Sequence, residues 1–595
     1  MLQSSRAHRV SLSVIVALAT ASPTVPVVAA PTGDGVPTAD ACQKLGFSSA
    51  REARDAGRFG GMMAPGSRAA PSIAYAAPPP PPPGPYPRQA PKSAAMAEIA
   101  VTASRSVGPP PSTPQPGDIE TERYPNATPN PVKRTAEEPV STFSIDVDTA
   151  AYSNVRRFLN DGTRPPRDAV RVEEMINYFD YGYARPASAS EPFRPFVAVT
   201  PSPWSKDRQI LQIGLQGYEA PRAAQPPLNL VFLIDTSGSM ESEDRLPLAR
   251  KAMNLLIDQL GPQDRVAMVA YAGSAGAVLA PTSGREKLKM RCALGALSAG
   301  GSTAGGEGLA LAYGLARQNF DPKAVNRVIL MTDGDFNVGV ADPVKLKDFV
   351  AEKRKSGVYL SVYGFGRGNY NDVMMQTLAQ NGNGTAGYLD TLSEARKAFR
   401  DDFAGSLFPI ADDVKIQVEF NPKQVSEYRL IGYETRLLNR EDFNNDAVDA
   451  GEVGSGASVT ALYEITRAGA RPSSDPLRYG GQARAAAASA PDGELAFLKV
   501  RYKLPGQPAS HLMQRPITGA DAYARVEAAP EAARWALAVA GFGQKLRGDP
   551  WVGEGFAWPQ ITALAQGARG EDPFGVRAEF VQLTRTAGEG RSLNE

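Results

Sequence analysis

The chain has few of the side chains that carry most catalysis and most structural metal binding. Its 595 residues include two cysteines and two histidines. Two cysteines cannot build a disulfide framework, and no Cys/His cluster has the spacing of a zinc site. Because Cys42 lies in a proline-rich tail and Cys292 lies in a folded segment, we predict that no structural disulfide joins them.

Neither basic nor acidic residues are in excess. Lysine and arginine together number 64, and aspartate and glutamate together number 63. No overall electrostatic field therefore attracts nucleic acid or an anionic membrane. We expect no nucleic-acid partner.

The usual catalytic sets are also missing. His511 is the only histidine beyond the first 30 residues, and it lies in a stretch of loop character, Ala509–Met513. Ser-His-Asp and Cys-His catalysis need a base that a second group positions, and the glycine-rich loop Gly300–Gly308 lacks the Lys-Ser/Thr of a P-loop. Hydrolysis by paired carboxylates at Asp333 and Asp335 stays open, although their closeness in the chain favours a turn. We therefore predict that the protein is not an enzyme.

Long apolar runs are confined to the amino terminus. Residues 1–30 combine a basic start, an apolar stretch from Val10 to Leu18 and small residues up to Ala30, which is typical of a secretory signal peptide. The stretch is too short for a transmembrane helix. We expect export to the periplasm or cell envelope of a Gram-negative bacterium. Lipidation of Cys42 is the less favoured alternative, since the preceding Thr-Ala-Asp-Ala lacks the usual leucine.

Residues 31–118 are dominated by proline, alanine, glycine and serine, with six consecutive prolines at Pro78–Pro83. Such a segment cannot bury enough apolar surface to fold, so we predict a disordered spacer. Within it, Glu98–Arg105 is a short β-prone stretch that resembles the segment by which outer-membrane receptors engage TonB. The spacer interpretation is favoured over a recognition role.

The most informative segment is Asn229-Leu-Val-Phe-Leu-Ile-Asp-Thr-Ser-Gly-Ser-Met240. Its apolar run predicts a buried parallel strand, which is covered on both faces and need not alternate. Asp235, Ser237 and Ser239 then lie in the loop at the carboxyl end of that strand, where open α/β sheets bind ligands. Carboxylate and hydroxyl oxygens suit a hard cation such as Mg²⁺. An ordinary helix cap is the alternative interpretation of this pattern.

Two later segments favour the metal interpretation. Ala299–Gly308 is a glycine-rich loop that offers Thr303 and precedes an apolar-periodic helix. Arg327–Asp335 is a second buried-strand pattern, and Asp333 follows its apolar residues. Three successive loops therefore deliver oxygen ligands to the same edge of the predicted sheet.

The surrounding pattern predicts the architecture. Apolar residues at helical spacing in Arg245–Leu260 precede a strand at Arg265–Tyr271, and a helix at Val344–Lys355 precedes a strand at Val358–Gly364. Alternating strands and helices on this scale predict an α/β fold with a doubly wound, mostly parallel, Rossmann-like sheet.

These three segments resemble the metal-ion-dependent adhesion site (MIDAS) of von Willebrand factor A (VWA) domains, over residues 227–408. The resemblance implies that the hydroxyls of Ser237 and Ser239 bind Mg²⁺ directly, with Mn²⁺ and Ca²⁺ as alternatives. It implies that Thr303 joins or leaves with the conformational state and that Asp235 and Asp333 hold the ion partly through water. An ion with few carboxylate ligands stays electrophilic, so an Asp or Glu of a protein partner would be its last ligand.

The flanks resemble a particular VWA family. Ser141–Phe158 and Arg171–Phe179 are similar to the amino-terminal domain of the YfbK-like family, here residues 119–226. Ala538–Gly548 and Gly575–Leu583 are similar to its carboxy-terminal domain, here residues 409–595.

Strand patterns in these flanks predict a β-sandwich. They precede the VWA segment at Phe196–Thr200 and Gln209–Leu215, and follow it at Val414–Phe420, Val459–Ile465 and Leu495–Tyr502. We expect the earlier strands to complete the sandwich. Helical periodicity from residue 521 to about residue 585 predicts a small helical bundle after it.

The sequence thus predicts an exported protein-interaction module whose MIDAS binds Mg²⁺ and docks a partner carboxylate. The alternative is a structural or assembly component of the cell envelope, in which the metal only stabilises a cluster of loops. In that case binding would depend on the flanking domains and would survive removal of the metal.

Overall fold

The computed structural model describes residues 37–47, 122–125, 128–145, 148–303, 305–334, 336, 343–446, 448, 450–475 and 493–590. Within these residues the strands are β1 (Lys133–Arg134), β2 (Val140–Ser144), β3 (Phe193–Pro201), β4 (Arg208–Gly217), β5 (Leu228–Asp235), β6 (Arg265–Tyr271), β7 (Ala275–Ser283), β8 (Val325–Thr332), β9 (Tyr359–Phe365), β10 (Ala386–Leu389), β11 (Pro409–Phe420), β12 (Val425–Ile431), β13 (Leu437–Leu438), β14 (Val453–Gly454), β15 (Ser458–Arg467), β16 (Glu494–Lys503) and β17 (Ser510–Thr518). The helices are α1 (Ala39–Lys44), α2 (Ala150–Asn160), α3 (Val172–Asn177), α4 (Leu246–Gln259), α5 (Lys287–Ala296), α6 (Gly305–Gln318), α7 (Pro343–Lys355), α8 (Asp372–Asn381), α9 (Leu392–Arg396), α10 (Phe403–Leu407), α11 (Glu531–Arg547), α12 (Trp558–Gly567) and α13 (Val576–Glu589).

The central sheet has six strands in the order β10-β9-β8-β5-β6-β7. Its strands pair in parallel except for β7, which runs antiparallel to β6 at the edge. The strand order reverses direction at β5, which is the pattern of a doubly wound sheet. The predicted fold class is confirmed.

Both faces of this sheet are covered by helices. Leu230, Phe232 and Ile234 of β5 belong to one core, which α4 and α5 also build. Val231 and Leu233, which alternate with them, belong to a second core, which α6 and α8 help to build. Burial on both faces explains why β5 is an unbroken apolar run.

Two antiparallel sheets form the predicted β-sandwich. One has the order β1-β12-β15-β4-β3, and the other has the order β13-β2-β11-β16-β17. Strands that precede the central sheet in the chain pair with strands that follow it, as in β4 with β15 and β2 with β11. The prediction that earlier strands complete the sandwich is therefore confirmed.

The helices at the two ends of the chain share one core. Tyr152 of α2 and Met175 of α3 are buried together with Trp535 and Phe542 of α11 and Phe580 of α13. The predicted carboxy-terminal helices are thus present, and they pack against the helices that precede the sandwich.

Buried arginines join these regions to the central sheet. Arg156 of α2 pairs with Asp390 and Glu394, which follow β10, and its Nη1 lies 3.2 Å from Oε2 of Glu579 on α13. Arg171 pairs with Glu174 and, at 2.6 Å, with Asp372 at the start of α8. A buried charge that loses its partner is strongly destabilising, so these contacts fix the regions to one another.

The prediction of an unpaired Cys42 is wrong, because a disulfide joins it to Cys292. The tail residues around Cys42 form α1, which Thr38 caps, so this part of the predicted disordered spacer is helical. Cys292 lies on α5, and Phe47 packs against the core that α5 helps to form. The two cysteines are 250 residues apart, and the sequence carried no signal of that long-range contact. A sulfur bonded to Cys292 cannot also carry a lipid.

His511 does not lie in a loop, as the sequence predicted, but in β17, where it is exposed and stacks on Tyr502 of β16. Several other predictions fall outside the described residues, namely the signal peptide, Glu98–Arg105, and the turn at Asp335. In the part of the chain that the structure covers, no helix has both the length and the hydropathy that a membrane span requires.

We expect the double variant Cys42→Ser, Cys292→Ser to unfold at a lower temperature than the wild type. Loss of a crosslink that closes so long a loop costs about 2–5 kcal/mol of unfolding free energy. Scanning calorimetry with and without reductant measures this difference. The single variant Cys42→Ser, which also lacks the disulfide, is measured beside the double variant. Two alkylatable thiols in the non-reduced wild type would contradict the assignment.

A buried carboxyl makes stability depend on pH. Burial, followed by the nearby carboxylates of Glu434 and Glu174, raises the pKa of Glu173 from 4.5 to about 7. The folded state therefore keeps a proton that the unfolded state releases, and stability falls as the pH rises through about 7.

Glu173→Gln removes this loss, so its melting temperature should approach the wild-type value near pH 4, below the unfolded pKa, and exceed it near pH 8. The difference is at most about 3 kcal/mol, because one pKa unit corresponds to about 1.4 kcal/mol. Calorimetry across this pH range tests it, with the exposed Glu527→Gln as control. A difference that does not change with pH would refute the assignment to Glu173.

Candidate metal centre

Asp235 ends β5 with its side chain fully buried. Its Oδ1 accepts a hydrogen bond from the backbone N–H of Ser237 at 2.9 Å. Its Oδ2 accepts from the hydroxyls of Tyr271 at 3.1 Å and Thr332 at 3.2 Å, which end the neighbouring strands β6 and β8. The carboxylate is therefore held from three sides at the carboxyl edge of the sheet.

Ser237 and Ser239 bring their hydroxyls together beside it. Their Oγ atoms lie 3.0 Å apart, in a turn that continues as a 3₁₀ helix over Gly238–Glu241. Ser237 is buried, whereas Ser239 is exposed. The hydroxyl pair thus reaches from the protein interior to solvent.

Backbone hydrogen bonds attach the glycine-rich loop to this turn. The N–H of Gly238 donates to the carbonyl of Gly301 at 3.0 Å, and the N–H of Gly300 donates to the carbonyl of Thr236 at 2.8 Å. Thr303 follows two residues after Gly301 and is partly exposed. These bonds bring the loop that carries Thr303 alongside Ser237 and Ser239.

Glycine at the start of α6 allows this close approach. A Cβ atom at Gly308 would lie 2.9 Å from a side-chain carbon of Leu233 and 3.0 Å from Cβ of Tyr271. Any larger residue would therefore push α6 and its preceding loop away from β5 and β6.

Asp333 follows β8 and is also buried. Its Oδ2 lies 3.0 Å from Nη1 of Arg245. The same guanidinium donates to the carbonyls of Ser239 at 2.5 Å and Arg367 at 2.7 Å, while Gly366 leaves the space that its side chain fills. Arg245 thus ties the serine turn and the loop after β9 to Asp333.

Burial, the largest influence, raises the pKa of Asp235, and the charge of Asp333 raises it further. Burial also raises the pKa of Tyr271 well above its ordinary value, so its hydroxyl remains a donor to Asp235. Of the two carboxylates, Asp333 has a cationic neighbour in Arg245 and Asp235 has hydroxyls. Among the described residues, the hydrogen-bond partners of Asp235 are thus neutral donors rather than cations.

The donor set fits a hard divalent cation. All five predicted residues offer oxygen, which hard cations prefer, and none offers the nitrogen or sulfur that softer metals favour. A cation between the two buried carboxylates would offset their mutual repulsion. Ser237 and Ser239 would offer their hydroxyls to it, and Asp235 and Asp333 would supply negative charge.

The structure brings Asp235, Ser237, Ser239 and Asp333 together and carries the loop of Thr303 to them. Sequence reasoning missed three residues that hold the site, Arg245, Tyr271 and Thr332. Tyr271 and Thr332 could have been found, because each ends a strand that the pattern had already predicted at this edge. Arg245 precedes a helix, and nothing in the sequence distinguishes it from an ordinary surface arginine.

The amino-terminal region borders this edge of the sheet. Nη1 of Arg367 lies 2.8 Å from Oδ2 of Asp161, which follows α2, and the N–H of Gly368 donates to Glu122 at 2.9 Å. The loop after β9 is therefore held between Arg245 and the amino-terminal helices.

The comparisons with known proteins agree with this geometry. The family described as "von Willebrand factor type A domain" matches residues 229–401, which contain the central sheet and all five candidate ligands. The fold and the site thus define a VWA domain, a class of domain that mediates interactions between proteins.

Matches to the flanking regions identify the protein family more closely. The family "Uncharacterized protein YfbK, C-terminal" matches residues 405–589, and a von Willebrand factor family matches residues 118–212. The chain is 46% identical over 473 residues to "Uncharacterized protein YfbK" of Escherichia coli (strain K12), covering 78% of this chain and 81% of that protein. The chain belongs to the YfbK-like family of VWA proteins, as the sequence predicted.

More distant matches cover smaller shares of the chain. Human inter-alpha-trypsin inhibitor heavy chain H4 is 26% identical over 203 residues, covering 33% of this chain and 22% of that protein. Among solved structures, a von Willebrand factor type A protein from Catenulispora acidiphila is 17% identical with a TM-score of 0.38, covering 68% of this chain and 91% of that chain. Proximal thread matrix protein 1 of the mussel byssus, with a zinc-occupied MIDAS motif, is 23% identical with a TM-score of 0.25, covering 30% and 45%.

We expect Asp235→Asn to melt at or above the wild-type temperature in the presence of a chelator. The substitution removes a buried charge and its repulsion from Asp333, while the amide keeps the shape of the side chain. Thermal unfolding in a chelator measures the difference. The control is Asp258→Asn, which changes a partly exposed carboxylate on α4 in the same way. A large loss of stability in Asp235→Asn alone would contradict this expectation and show that the hydrogen bonds of Asp235 outweigh the cost of its buried charge.

Proposed function

We propose that the protein is an exported interaction module that uses its MIDAS to dock an Asp or Glu side chain of a protein partner. The observation that carries the proposal is the cluster of Asp235, Ser237, Ser239 and Asp333, which combines buried negative charge with an exposed hydroxyl. Mg²⁺ is the favoured ion, because it prefers oxygen ligands and keeps exchangeable positions, with Mn²⁺ and Ca²⁺ as alternatives. When bound, the ion would supply an open position for the partner carboxylate.

Each residue of the site has a distinct part in this proposal. Ser237 and Ser239 would offer neutral oxygens, so that the bound ion keeps most of its charge for the partner. Asp235, held by Tyr271 and Thr332, would fix the turn through its hydrogen bond with the N–H of Ser237. Thr303 would contribute its hydroxyl in one position of the glycine-rich loop.

Arg245 gives the docking face a positive charge beside the ion. It is partly exposed and pairs with Asp333. A partner carboxylate that approaches the site would meet both this guanidinium and the ion. Because Asp333 balances the charge of Arg245, the ion would supply most of the attraction for that carboxylate.

Export is supported by the disulfide between Cys42 and Cys292. Disulfides form and persist in oxidising compartments such as the bacterial periplasm, and they are rare in the cytosol. Together with the signal-peptide pattern of residues 1–30, this favours the periplasm or cell envelope of a Gram-negative bacterium. We propose no enzymatic activity, since none of the five candidate ligands is a histidine or a cysteine and the family match favours docking instead.

The alternative function is a structural component of the envelope, in which the metal only stabilises the loops. Buried ion pairs such as Arg429 with Glu464 and Asp549 favour it, because they unite the sandwich and the carboxy-terminal helices as one large body. Partner binding would then be independent of the metal.

Partner capture distinguishes the two functions. Wild type and Asp235→Asn are immobilised and exposed to an envelope extract in Mg²⁺ or in a chelator, with Asp258→Asn as the matched control. We expect wild type and Asp258→Asn to retain a protein only in Mg²⁺. Asp235→Asn should not retain it, because Asp333 alone cannot hold the ion.

The same samples give a direct metal readout. Addition of Mg²⁺ should raise the melting temperature of wild type and Asp258→Asn, since a ligand that binds only the folded state stabilises it. Asp235→Asn should show no such rise. Capture that persists in the chelator and in Asp235→Asn would show that the flanking regions, and not the metal site, bind the partner.

A further inference from the structure

A second candidate site lies at the opposite edge of the central sheet from the MIDAS. A cavity of about 270 Å³ opens where the amino end of β8, the loop before β10 and the start of β11 meet the loops of the sandwich. Its volume is several times the roughly 30 Å³ that a water molecule occupies in the liquid. The cavity is partly open to solvent, so a small molecule could enter it.

Arg327 of β8 lines this cavity and is almost fully buried. Its Nη1 donates to Oγ of Ser361 at 2.7 Å, whereas its Nε has no acceptor among the described residues. Its guanidinium also lies over the ring of Tyr359, 5.8 Å from the centroid. No carboxylate in the described part of the chain forms an ion pair with it.

Other charges near the cavity are already engaged. Arg436 pairs with Asp148 at 3.3 Å. Glu452, which also lines the cavity, accepts a hydrogen bond from Asn383 at 3.1 Å. Burial lowers the pKa of Arg327, which the charge of Glu452 raises in part, and a guanidinium stays charged in proteins. Arg327 is therefore a buried cation with unused donor capacity.

Such an arrangement is costly unless an anion or water completes it. The fork of a guanidinium matches the two oxygens of a carboxylate or a phosphate, which makes arginine the usual residue for binding them. We propose that the cavity binds a small molecule through an oxyanion, carboxylate or phosphate, that pairs with Arg327. Polar groups of Asn383, Thr385 and Ser406, which also line the cavity, would contact the rest of the ligand.

Calorimetric titration of the full-length protein with acetate and, separately, with inorganic phosphate tests the proposal. We expect saturable binding of at least one of the two probes to wild type, and the probe that binds identifies the oxyanion. Arg327→Met should weaken this binding by about tenfold or more, because the charge-assisted hydrogen bonds are lost. Arg327→Lys, which keeps the charge but loses the fork, should show a smaller loss.

Arg265→Met is the matched control, because it makes the same change at an exposed position of the same sheet and should bind as wild type does. Arg327→Met should remain folded, since it replaces a buried charge by an apolar chain of similar length, and its melting temperature verifies this. Equal binding by wild type and Arg327→Met, or no saturable binding of either probe to wild type, would overturn the proposal and leave the cavity to water.

Discussion

The parallel pairing of β5 with β6 and β8 determines where Asp235, the serine turn after it and Asp333 lie. Parallel strands end at the same edge of a sheet, so Asp235 at the end of β5 comes beside Tyr271 of β6 and Thr332 of β8. The hydroxyls of these neighbours hold the carboxylate that in turn holds the serine turn. A shift in the pairing of β5 would separate Asp235 from both hydroxyls and from Asp333, which follows Thr332. The chemistry of the site therefore depends on strand register.

Buried ion pairs connect the flanking regions to the central domain and to one another. Arg156 on α2 reaches carboxylates in the central domain and on α13, and Arg429 in the sandwich reaches Asp549 after α11. Loss of one partner from such a buried pair costs about 3–5 kcal/mol, because an uncompensated charge remains. These pairs specify how the regions fit together, whereas the apolar cores supply most of the favourable free energy. Arg327 is the exception, since no carboxylate in the described part of the chain forms an ion pair with it.

Local patterns predicted the parts of the structure that depend on local sequence. The strands of the central sheet were predictable because burial on both faces leaves unbroken apolar runs, as in β5 and β8. The four residues Asp235, Ser237, Ser239 and Asp333 were predictable because each immediately follows or ends such a run. The Cys42–Cys292 disulfide, the strand at His511 and the role of Arg245 were not, because each depends on contacts between distant segments. The oxygen cluster was thus visible in the sequence, and so were the strand ends that carry Tyr271 and Thr332, whereas the role of Arg245 was not.

An open coordination position is what separates docking from a purely stabilising metal. The most direct measurement is the relaxation of water protons by Mn²⁺ bound to the full-length protein, followed as glutamate is added as a soluble carboxylate. Metal-bridged docking predicts enhanced relaxation, from water that exchanges at the bound ion, and a decrease as the carboxylate displaces that water. Bound Mn²⁺ that shows no exchangeable water, or relaxation that carboxylate does not change, would contradict it and leave the metal a structural role.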